Sequence, residues 1–245
     1  MKKFKKKIYF SIITVHSGDL NELKKTIMSV DGQVLKPTKH FIISPDKSIV
    51  KIKKFKKKYR FFILGKDKSI YNAMNIGLKK TRKDFIIFLN SGDVLHNNSV
   101  IKKIRKKINS NICYVFKTYL KYKKNTYIPK NNFFNSKKYF PHPSFIRPPI
   151  KNKLILFNEN YKILSDGLWI NKNIHEHGYI KLNKVVSIHY LGGVSSKPTL
   201  KFTIEKFKLS LMSGFKELIK LILFTIIDQQ NYYKIIFSYK FDKKK

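Results

Sequence analysis

The chain has 245 residues, enough for one α/β domain with some additional structure and too few for two full domains. Hydrophobic residues make up 42% of it and aromatic residues 14%, which excludes a disordered chain. The formal net charge is +39. This charge either reflects the Lys-rich composition that an AT-rich genome encodes, or indicates a polyanionic partner such as nucleic acid or an anionic membrane surface.

Two features of the sequence bear on the location of the protein, its cysteine content and its N-terminus. Cys113 is the only cysteine, so no disulfide can form within one chain, as is typical of a reducing compartment. The N-terminal basic flank, 2–7, precedes an apolar run, 8–15, that is short, contains polar residues and lacks a cleavage site of small residues. We therefore interpret this run as a first strand, and no segment approaches the roughly 20 apolar residues that span a bilayer.

The first hundred residues alternate between strand-like and helix-like segments. Short runs of β-branched and aromatic residues indicate the strands, and apolar residues three or four positions apart indicate the helices. This alternation with short loops is typical of a mostly parallel sheet. The predicted elements are strand 8–15, helix 20–30, strands 41–43 and 59–64, helix 69–80 and strand 85–89.

The pattern is weaker after residue 99. We expect a basic helix at 101–108, a strand at 113–119, a loop or irregular hairpin at 122–139, a helix at 166–177 with Ser165 as its N-cap, and a strand at 185–190. From Thr199 the sequence becomes one long amphipathic helix with an apolar stripe at Phe207, Leu211, Phe215, Leu218, Ile222 and Ile226. Such a stripe suits either a membrane interface or packing against the sheet or another subunit. The expected division is a domain at 1–198 and a basic amphipathic helical tail at 199–245.

The segment 85–93 combines an apolar run with the polar end Asn90-Ser91-Gly92-Asp93. This is the pattern of a buried strand that delivers a carboxylate to its C-terminal end, where ligands bind in open α/β sheets. Asp93 would suit a hard divalent cation there. Ser-Gly-Asp is also ordinary turn chemistry, so this segment alone leaves both interpretations open.

Four segments in order resemble the family 2 glycosyltransferases, in the subgroup with an Asn-Ser-Gly-Asp signature. They are 11–15, 26–33, 67–77 (DKSIYNAMNIG) and 90–93, and the resemblance covers about residues 8–196. It implies an α/β fold of the GT-A type, with a mostly parallel central sheet flanked by helices and followed here by the helical tail. It also implies an inverting, metal-dependent transfer of a sugar from a nucleotide diphosphate sugar, a UDP-sugar, to a glycan or lipid-linked acceptor in surface polysaccharide biosynthesis.

The resemblance assigns Asp93 as a ligand of Mn²⁺ or Mg²⁺. His189 precedes the loop 191–196, whose glycines would let the backbone approach a ligand closely, and it is a candidate for a further metal or diphosphate contact. The fuller family motif has acidic residues at the positions of Asn90 and Gly92. One carboxylate can suffice, because these cations keep waters and bind substrate phosphate oxygens. A structural role at the end of a strand is the alternative for His189.

The nucleotide-sugar would lie along the ends of the first strands and the helix that faces them. By resemblance Asp67 contacts the donor, and Asn72 stands where the family usually has Asp, although an amide can still bond a hydroxyl. Surface or capping polarity is the alternative for Asn72 and Asn75. The other predicted substrate-binding residues are Thr14, His16, Ser44, Asp46, Asn90, Ser91, His142 and Arg147.

An inverting transfer needs a general base beside the acceptor hydroxyl. Asp166 follows the segment 141–147 at the position of the family's catalytic Asp, and Glu159 is a weaker candidate. The alternative for Asp166 is a carboxylate stabilised by the macrodipole in the first turn of a helix. His142 and Arg147 would line the acceptor side or meet the diphosphate, and a structural loop between two prolines is the alternative for His142.

Two other functions remain open at the level of sequence. Asn72 and Asn90 stand at positions where the family commonly has acidic residues, which would fit a non-catalytic descendant of the fold. The charge would fit a nucleic-acid-binding protein, but no recognisable RNA- or DNA-binding motif is present, so we expect no specific nucleic acid. For the enzyme we expect a cytoplasmic location, peripheral at the inner face of the membrane, with the lysines and the tail attracted to anionic lipid.

Overall fold

A computed structural model describes residues 8–47, 49, 52, 55–65, 69–109, 111–128, 141–191, 199–229, 231–233 and 240–241, and the structural statements below concern these. The strands are β1 (Phe10–Val15), β2 (Lys39–Ser44), β3 (Arg60–Leu64), β4 (Phe85–Phe88), β5 (Val94–Leu95), β6 (Cys113–Tyr122), β7 (Asn125–Ile128), β8 (Phe145–Arg147), β9 (Tyr179–Tyr190) and β10 (Lys240–Phe241). The helices are α1 (Leu20–Asp31), α2 (Ile70–Lys80), α3 (Val100–Lys107), α4 (Ser165–His177), α5 (Leu200–Leu209) and α6 (Leu211–Ile226), and a 3₁₀ turn spans His142–Ser144.

The strands form one mixed sheet in the order β10-β7-β6-β8-β4-β1-β2-β3, with β9 joined to β5 and β6. The strands β4, β1, β2 and β3 pair in parallel, whereas β8 runs antiparallel to both β4 and β6. The predicted α/β class with a mostly parallel sheet is therefore confirmed. The chain leaves β1 toward β2 on one side and returns to β4 on the other, so a topological switch point lies between β1 and β4.

Alternating side chains of the central strands pack against helices on both faces of the sheet. Ile13 of β1 and Phe88 of β4 lie in one cluster with Trp169 of α4, and their neighbours Ile12 and Ile87 lie in another cluster on the opposite face. Strands buried on both faces explain why the central segments read as continuous apolar runs. Packing on both faces holds the central strands, and with them the strand ends, in fixed positions.

Helix α2 approaches the sheet unusually closely at Gly77. A Cβ atom at this position would lie 2.6 Å from Cγ2 of Ile13 and 3.0 Å from Cδ1 of Ile43. The glycine therefore permits backbone contact between α2 and the centre of the sheet. Gly77 lies in the second half of α2, so this contact fixes that part of the helix against β1 and β2.

The structure corrects the sequence prediction for the start of α4. Helix α4 begins at Ser165, Leu164 occupies the N-cap position, and no side chain of α4 caps it. The hydroxyl of Ser165 is buried without a hydrogen-bond partner among the described residues, so Ser165 is not the N-cap that the sequence predicted.

The expected single tail helix is divided at Ser210 into α5 and α6, which pack as a hairpin with Phe207 against Gly214. The short strands β5 and β8 were not predicted. Of the segment 122–139, where a loop or an irregular hairpin was expected, the structure describes 122–128, and there β7 pairs antiparallel with the end of β6.

A buried polar chain links three elements beneath the strand ends. Arg60 donates from Nε to Nδ1 of His40 at 3.2 Å, and Nε2 of His40 lies 2.9 Å from the hydroxyl of Thr14. That hydroxyl donates to the carbonyl oxygen of Leu89 at 2.7 Å, so His40 donates to Thr14 from Nε2. Burial, and then the charge of Arg60, lower the pKa of His40 to about 3. The folded protein therefore keeps His40 neutral at all physiological pH values.

The depressed pKa of His40 predicts a specific acid sensitivity. In the unfolded chain an ordinary histidine binds a proton below a pH of about 6.5, so the unfolded state gains protons that the folded state refuses. The stabilisation is complete above that pH and declines as the pH falls toward 3. In His40→Gln, the slope of the unfolding free energy between pH 6 and 4 should fall by up to about 1.4 kcal/mol per pH unit relative to the wild type. Urea titrations across this range measure the difference, and parallel slopes would contradict it.

Candidate active site

The segment after β4 is a turn that continues the pairing of the sheet beyond the strands. The amide of Leu89 donates to the carbonyl of Ile13, and that of Ser91 donates to the carbonyl of Val15. Gly92 has a φ of +96°, and its amide donates to the hydroxyl of Thr26 in α1 at 3.0 Å. The positive φ favours glycine, because other residues are strained there. The segment is therefore a turn, and it also brings the carboxylate of Asp93 to the carboxyl end of β4. Both interpretations of the sequence thus apply.

Four side chains from separate parts of the chain meet at this edge. His189 of β9 lies with Nδ1 2.7 Å from Oδ1 of Asp93. His142 of the 3₁₀ turn lies with Nε2 3.9 Å from Oδ2 of Asp93, and with Nδ1 3.6 Å from Oδ2 of Asp166. The rings of His142 and His189 are 6.2 Å apart between centroids. We call these four residues, Asp93, His142, Asp166 and His189, the acid–histidine cluster.

The cluster lies where open α/β sheets bind ligands. Asp93 follows β4, and β4 borders the switch point beside β1. Asp166 stands in the first turn of α4 and accepts a hydrogen bond at 2.7 Å from the amide of Gly167. Both carboxylates are buried, at 3% exposure for Asp93 and 7% for Asp166, so their placement is set by the fold.

The charge of His189 depends on its carboxylate neighbours. Burial lowers its pKa, but the charge of Asp93, the hydrogen bond to Asp93 and the charge of Asp166 together raise it above the ordinary value of a histidine. A proton on His189 neutralises part of the negative charge that two buried carboxylates would otherwise bring together. A positive charge on His189 therefore partly balances the negative charges of Asp93 and Asp166.

Several buried polar atoms at this edge have no hydrogen-bond partner among the described residues. They are Nε2 of His16, Oδ1 of Asn90, Oδ2 of Asp93 and Nε2 of His142. Buried polar groups are almost always bonded in folded proteins, so such unmet groups require an explanation, for example a ligand. Other such atoms occur elsewhere in the described residues, so it is the coincidence of these four with the acid–histidine cluster that marks this edge as the candidate active site.

A divalent cation fits this chemistry through one carboxylate. No group of three or more His, Cys, Asp or Glu residues arranged to hold a metal occurs in the part of the chain that the structure describes. The unmet Oδ2 of Asp93 is nevertheless an oxygen acceptor of the type that Mg²⁺ and Mn²⁺ bind. A cation there would take its other ligands from water and a bound diphosphate.

The predicted donor-side residues differ in where they lie and in what their side chains bond. His16 bonds Ser91 at 3.0 Å through Nδ1, and burial lowers its pKa although Asp46 and Asp19 oppose this. The hydroxyl of Thr14 is occupied by the buried polar chain. Ser44 is buried, and its hydroxyl accepts from the amide of Asp46 at 3.1 Å. His16, Ser91 and Asp46 thus lie at strand ends, whereas Thr14 and Ser44 shape the backbone there.

Asn72 and Asn75 of α2 hold the segment that contains Glu159. Asn75 accepts from the amide of Phe157 at 2.8 Å and donates to Oε1 of Glu159 at 2.9 Å, while Asn72 donates to Oε2 at 3.1 Å. The bonds from Asn75 and then Asn72 lower the pKa of Glu159. Glu159 is thus bonded outside the acid–histidine cluster, which makes Asp166 the better placed of the two candidate bases.

The structure does not bring Arg147 to the cluster, contrary to the expectation from sequence. Arg147 pairs with Ile86 near the amino end of β4 and is fully buried. Its guanidinium donates to the carbonyls of Pro148 and Thr81 at 2.7 and 3.0 Å. It is therefore committed to holding backbone at the opposite end of the strand. Asp67, the other predicted donor contact, lies outside the described residues.

Sequence reasoning missed two residues that hold the start of α4. Tyr71 donates its hydroxyl to the carbonyl of Ile163, and Glu205 of α5 accepts from backbone amides just before α4. The tyrosine belongs to a recognised motif but shows no sign of this role. An acidic residue within a lysine-rich helix was the available signal for Glu205.

The profile of the glycosyl transferase family 2 matches residues 11–174. The match covers well over half of the chain and includes three members of the acid–histidine cluster, Asp93, His142 and Asp166. The chain therefore belongs to glycosyl transferase family 2 and is a glycosyltransferase of the GT-A fold. No curated protein sequence matches the chain at a significant level.

Solved structures show the same fold at low sequence identity. TarS 1-349 from S. aureus in complex with UDP is 17% identical with a TM-score of 0.64, over 94% of this chain and 75% of that chain. TarS 1-349 in complex with UDP-GlcNAc gives the same identity and TM-score, over 94% and 73%. The mannosyltransferase PcManGT from Pyrobaculum calidifontis, in complex with GDP-Man and Mn²⁺, is 8% identical with a TM-score of 0.53, over 86% and 64%.

Proposed function

We propose that the protein is an inverting glycosyltransferase that moves a sugar from a UDP-sugar to a glycan or lipid-linked glycan, with Mn²⁺ or Mg²⁺ as cofactor. The observation that carries the proposal is the acid–histidine cluster, in which Asp93 and Asp166 face opposite nitrogens of His142 at the switch point. The UDP and UDP-GlcNAc complexes of TarS support a uridine donor, and the Mn²⁺ complex of PcManGT supports a cation.

Each carboxylate has a separate part in this reaction. The acceptor hydroxyl attacks the anomeric carbon of the donor sugar, Asp166 takes the hydroxyl proton, and the bond from that carbon to the diphosphate oxygen breaks. Asp93 would hold the cation, which supplies positive charge to the departing diphosphate. His142 lies between the two carboxylates and His189 holds Asp93, so the histidines fix the carboxylates and separate their charges.

The first prediction concerns the cation. UDP with Mn²⁺ should raise the melting temperature by several degrees, and UDP with excess chelator should raise it much less, because binding to the folded state stabilises it. Asp93→Asn should remove the Mn²⁺-dependent part of the shift. Asp84→Asn is the matched control, since Asp84 is equally buried but bonds Ser11 near the amino end of β4. Equal stabilisation by UDP in chelator would refute the metal role of Asp93.

The second prediction separates the base from donor binding. Asp166→Asn should lower kcat roughly 10²- to 10⁴-fold while leaving the donor KM nearly unchanged, because a general base acts in the transition state. Steady-state kinetics with a confirmed acceptor measure both constants. Glu159→Gln is the comparison variant, and it should keep most of the wild-type kcat. Wild-type turnover in Asp166→Asn together with loss in Glu159→Gln would transfer the role to Glu159.

We also propose that the tail binds an anionic membrane peripherally. The apolar side chains of α6 point largely into solvent, and they are Leu211, Met212, Phe215, Ile219, Ile222 and Ile226. Lysines occur near them in the sequence, at Lys206, Lys208, Lys216 and Lys220, of which Lys208 and Lys216 are exposed, and the chain carries a net charge of +39. An apolar face with lysines beside it fits a lipid surface of opposite charge. Among the described residues no helix has the length and apolar character needed to span a bilayer.

The third prediction tests this surface without removing the tail. Leu211→Ser with Phe215→Ser should reduce sedimentation with phosphatidylglycerol vesicles, because both side chains would enter the lipid interface. Met28→Ser with Val34→Ser is the matched control, since these side chains are similarly exposed but lie in α1 and just after it. Equal vesicle binding by both double variants would assign the apolar face of α6 to another contact.

A further inference from the structure

The three residues before α4 are held by a carboxylate of the tail. Glu205 of α5 accepts the amide of Lys162 on Oε1 at 2.5 Å, and the amides of Ile163 and Leu164 on Oε2 at 3.1 and 3.0 Å. The side chain of Glu205 is buried, at 6% residue exposure. A buried carboxylate is costly unless it is bonded, and three amide donors satisfy it with charge-assisted hydrogen bonds. The contact between Glu205 and 162–164 is therefore a strong and directional one.

The same segment is held from the opposite side by α2. The hydroxyl of Tyr71 donates to the carbonyl of Ile163, while Glu205 takes the amide of that residue. Helix α4 has no side-chain cap of its own, because Leu164 occupies the N-cap position. The tail and α2 thus supply the restraint that a local cap would otherwise give.

Asp166 is only two residues beyond this clamped segment. Its carboxylate is otherwise held by the amide of Gly167 and by His142 at 3.6 Å. A shift of the segment would move Asp166 directly, and a displacement of about 1 Å at a reacting group can cost on the order of 10²-fold in rate.

We propose that Glu205 is a positioning residue that fixes Asp166 for proton abstraction. The inference rests on the proposed role of Asp166 and extends the catalytic architecture into the tail. Glu205 does not touch substrate in this scheme and acts only through the backbone of 162–164. Its loss should therefore affect turnover and leave donor binding unchanged.

The test compares Glu205→Gln with Glu217→Gln. Both glutamates are buried in the tail hairpin, but Glu217 pairs with Lys220 and does not bond the 162–164 segment. Gln keeps the shape of Glu, loses the charge and turns an NH₂ group toward one of the three amides. Steady-state kinetics and amide hydrogen exchange of the peptide 160–168, with melting temperatures for both variants, provide the readouts.

Glu205→Gln should lower kcat at least tenfold, leave the donor KM within about twofold and speed exchange at 162–166. Glu217→Gln should lower the melting temperature similarly, with kcat and exchange at 162–166 near wild type. Wild-type kcat in Glu205→Gln, or a loss shared equally by Glu217→Gln, would overturn the inference. Unchanged exchange at 162–166 would also overturn it. A wild-type protein without transferase activity would instead refute the proposed function, and with it the role of Glu205 in turnover.

Discussion

The parallel pairing of β1 with β4 is the constraint on which the rest of the structure depends. It places both carboxyl ends at one edge, and backbone bonds from Leu89 to Ile13 and from Ser91 to Val15 continue that pairing beyond the strands. The turn that carries Asp93 is thus an extension of the sheet and not a free loop. Sites held by regular elements keep their geometry better than sites on loops. The histidines and Asp166 then need only to reach one fixed carboxylate.

Carboxylates are scarce in this chain, with 14 acidic against 53 basic residues, and the structure buries several of them. A buried carboxylate needs partners, so each one indicates a structural or functional role. Asp84 bonds Ser11 and Glu205 binds three amides, which satisfies them within the fold. Asp93 differs, because its Oδ2 has no hydrogen-bond partner among the described residues. Unmet hydrogen bonding, more than burial, therefore distinguishes the carboxylate that is proposed to hold the cation from those that support the fold.

The sequence predicted the parallel half of the sheet because its signals are local. Apolar runs, helical spacing and short loops each lie within one segment. The four-part resemblance then indicated Asp93, and the order of the later segments indicated Asp166, with His142 and His189 as open candidates. It could not predict their meeting, since β9 and the 3₁₀ turn reach the cluster through pairings distant in sequence. The expectations for Arg147 and Ser165 were wrong for the same reason: residue type suggests phosphate binding or capping, but tertiary contacts buried one guanidinium and replaced one cap. The assignments of the other substrate-binding residues and of the metal-binding residues remain predictions.

The tail after residue 198 combines a contact with the preceding domain and the apolar surface that is proposed to meet lipid. The inner side of α5 carries Glu205 against the segment before Asp166, whereas the outer side of α6 exposes its apolar residues. The two helices are joined tightly, because a Cβ atom on Gly214 would lie 2.2 Å from the ring of Phe207. A lipid contact on α6 and the restraint on Asp166 therefore act on one hairpin. Removing the whole tail would abolish both contacts at once, so surface substitutions on α6 and the single change at Glu205 are needed to distinguish membrane binding from catalytic positioning.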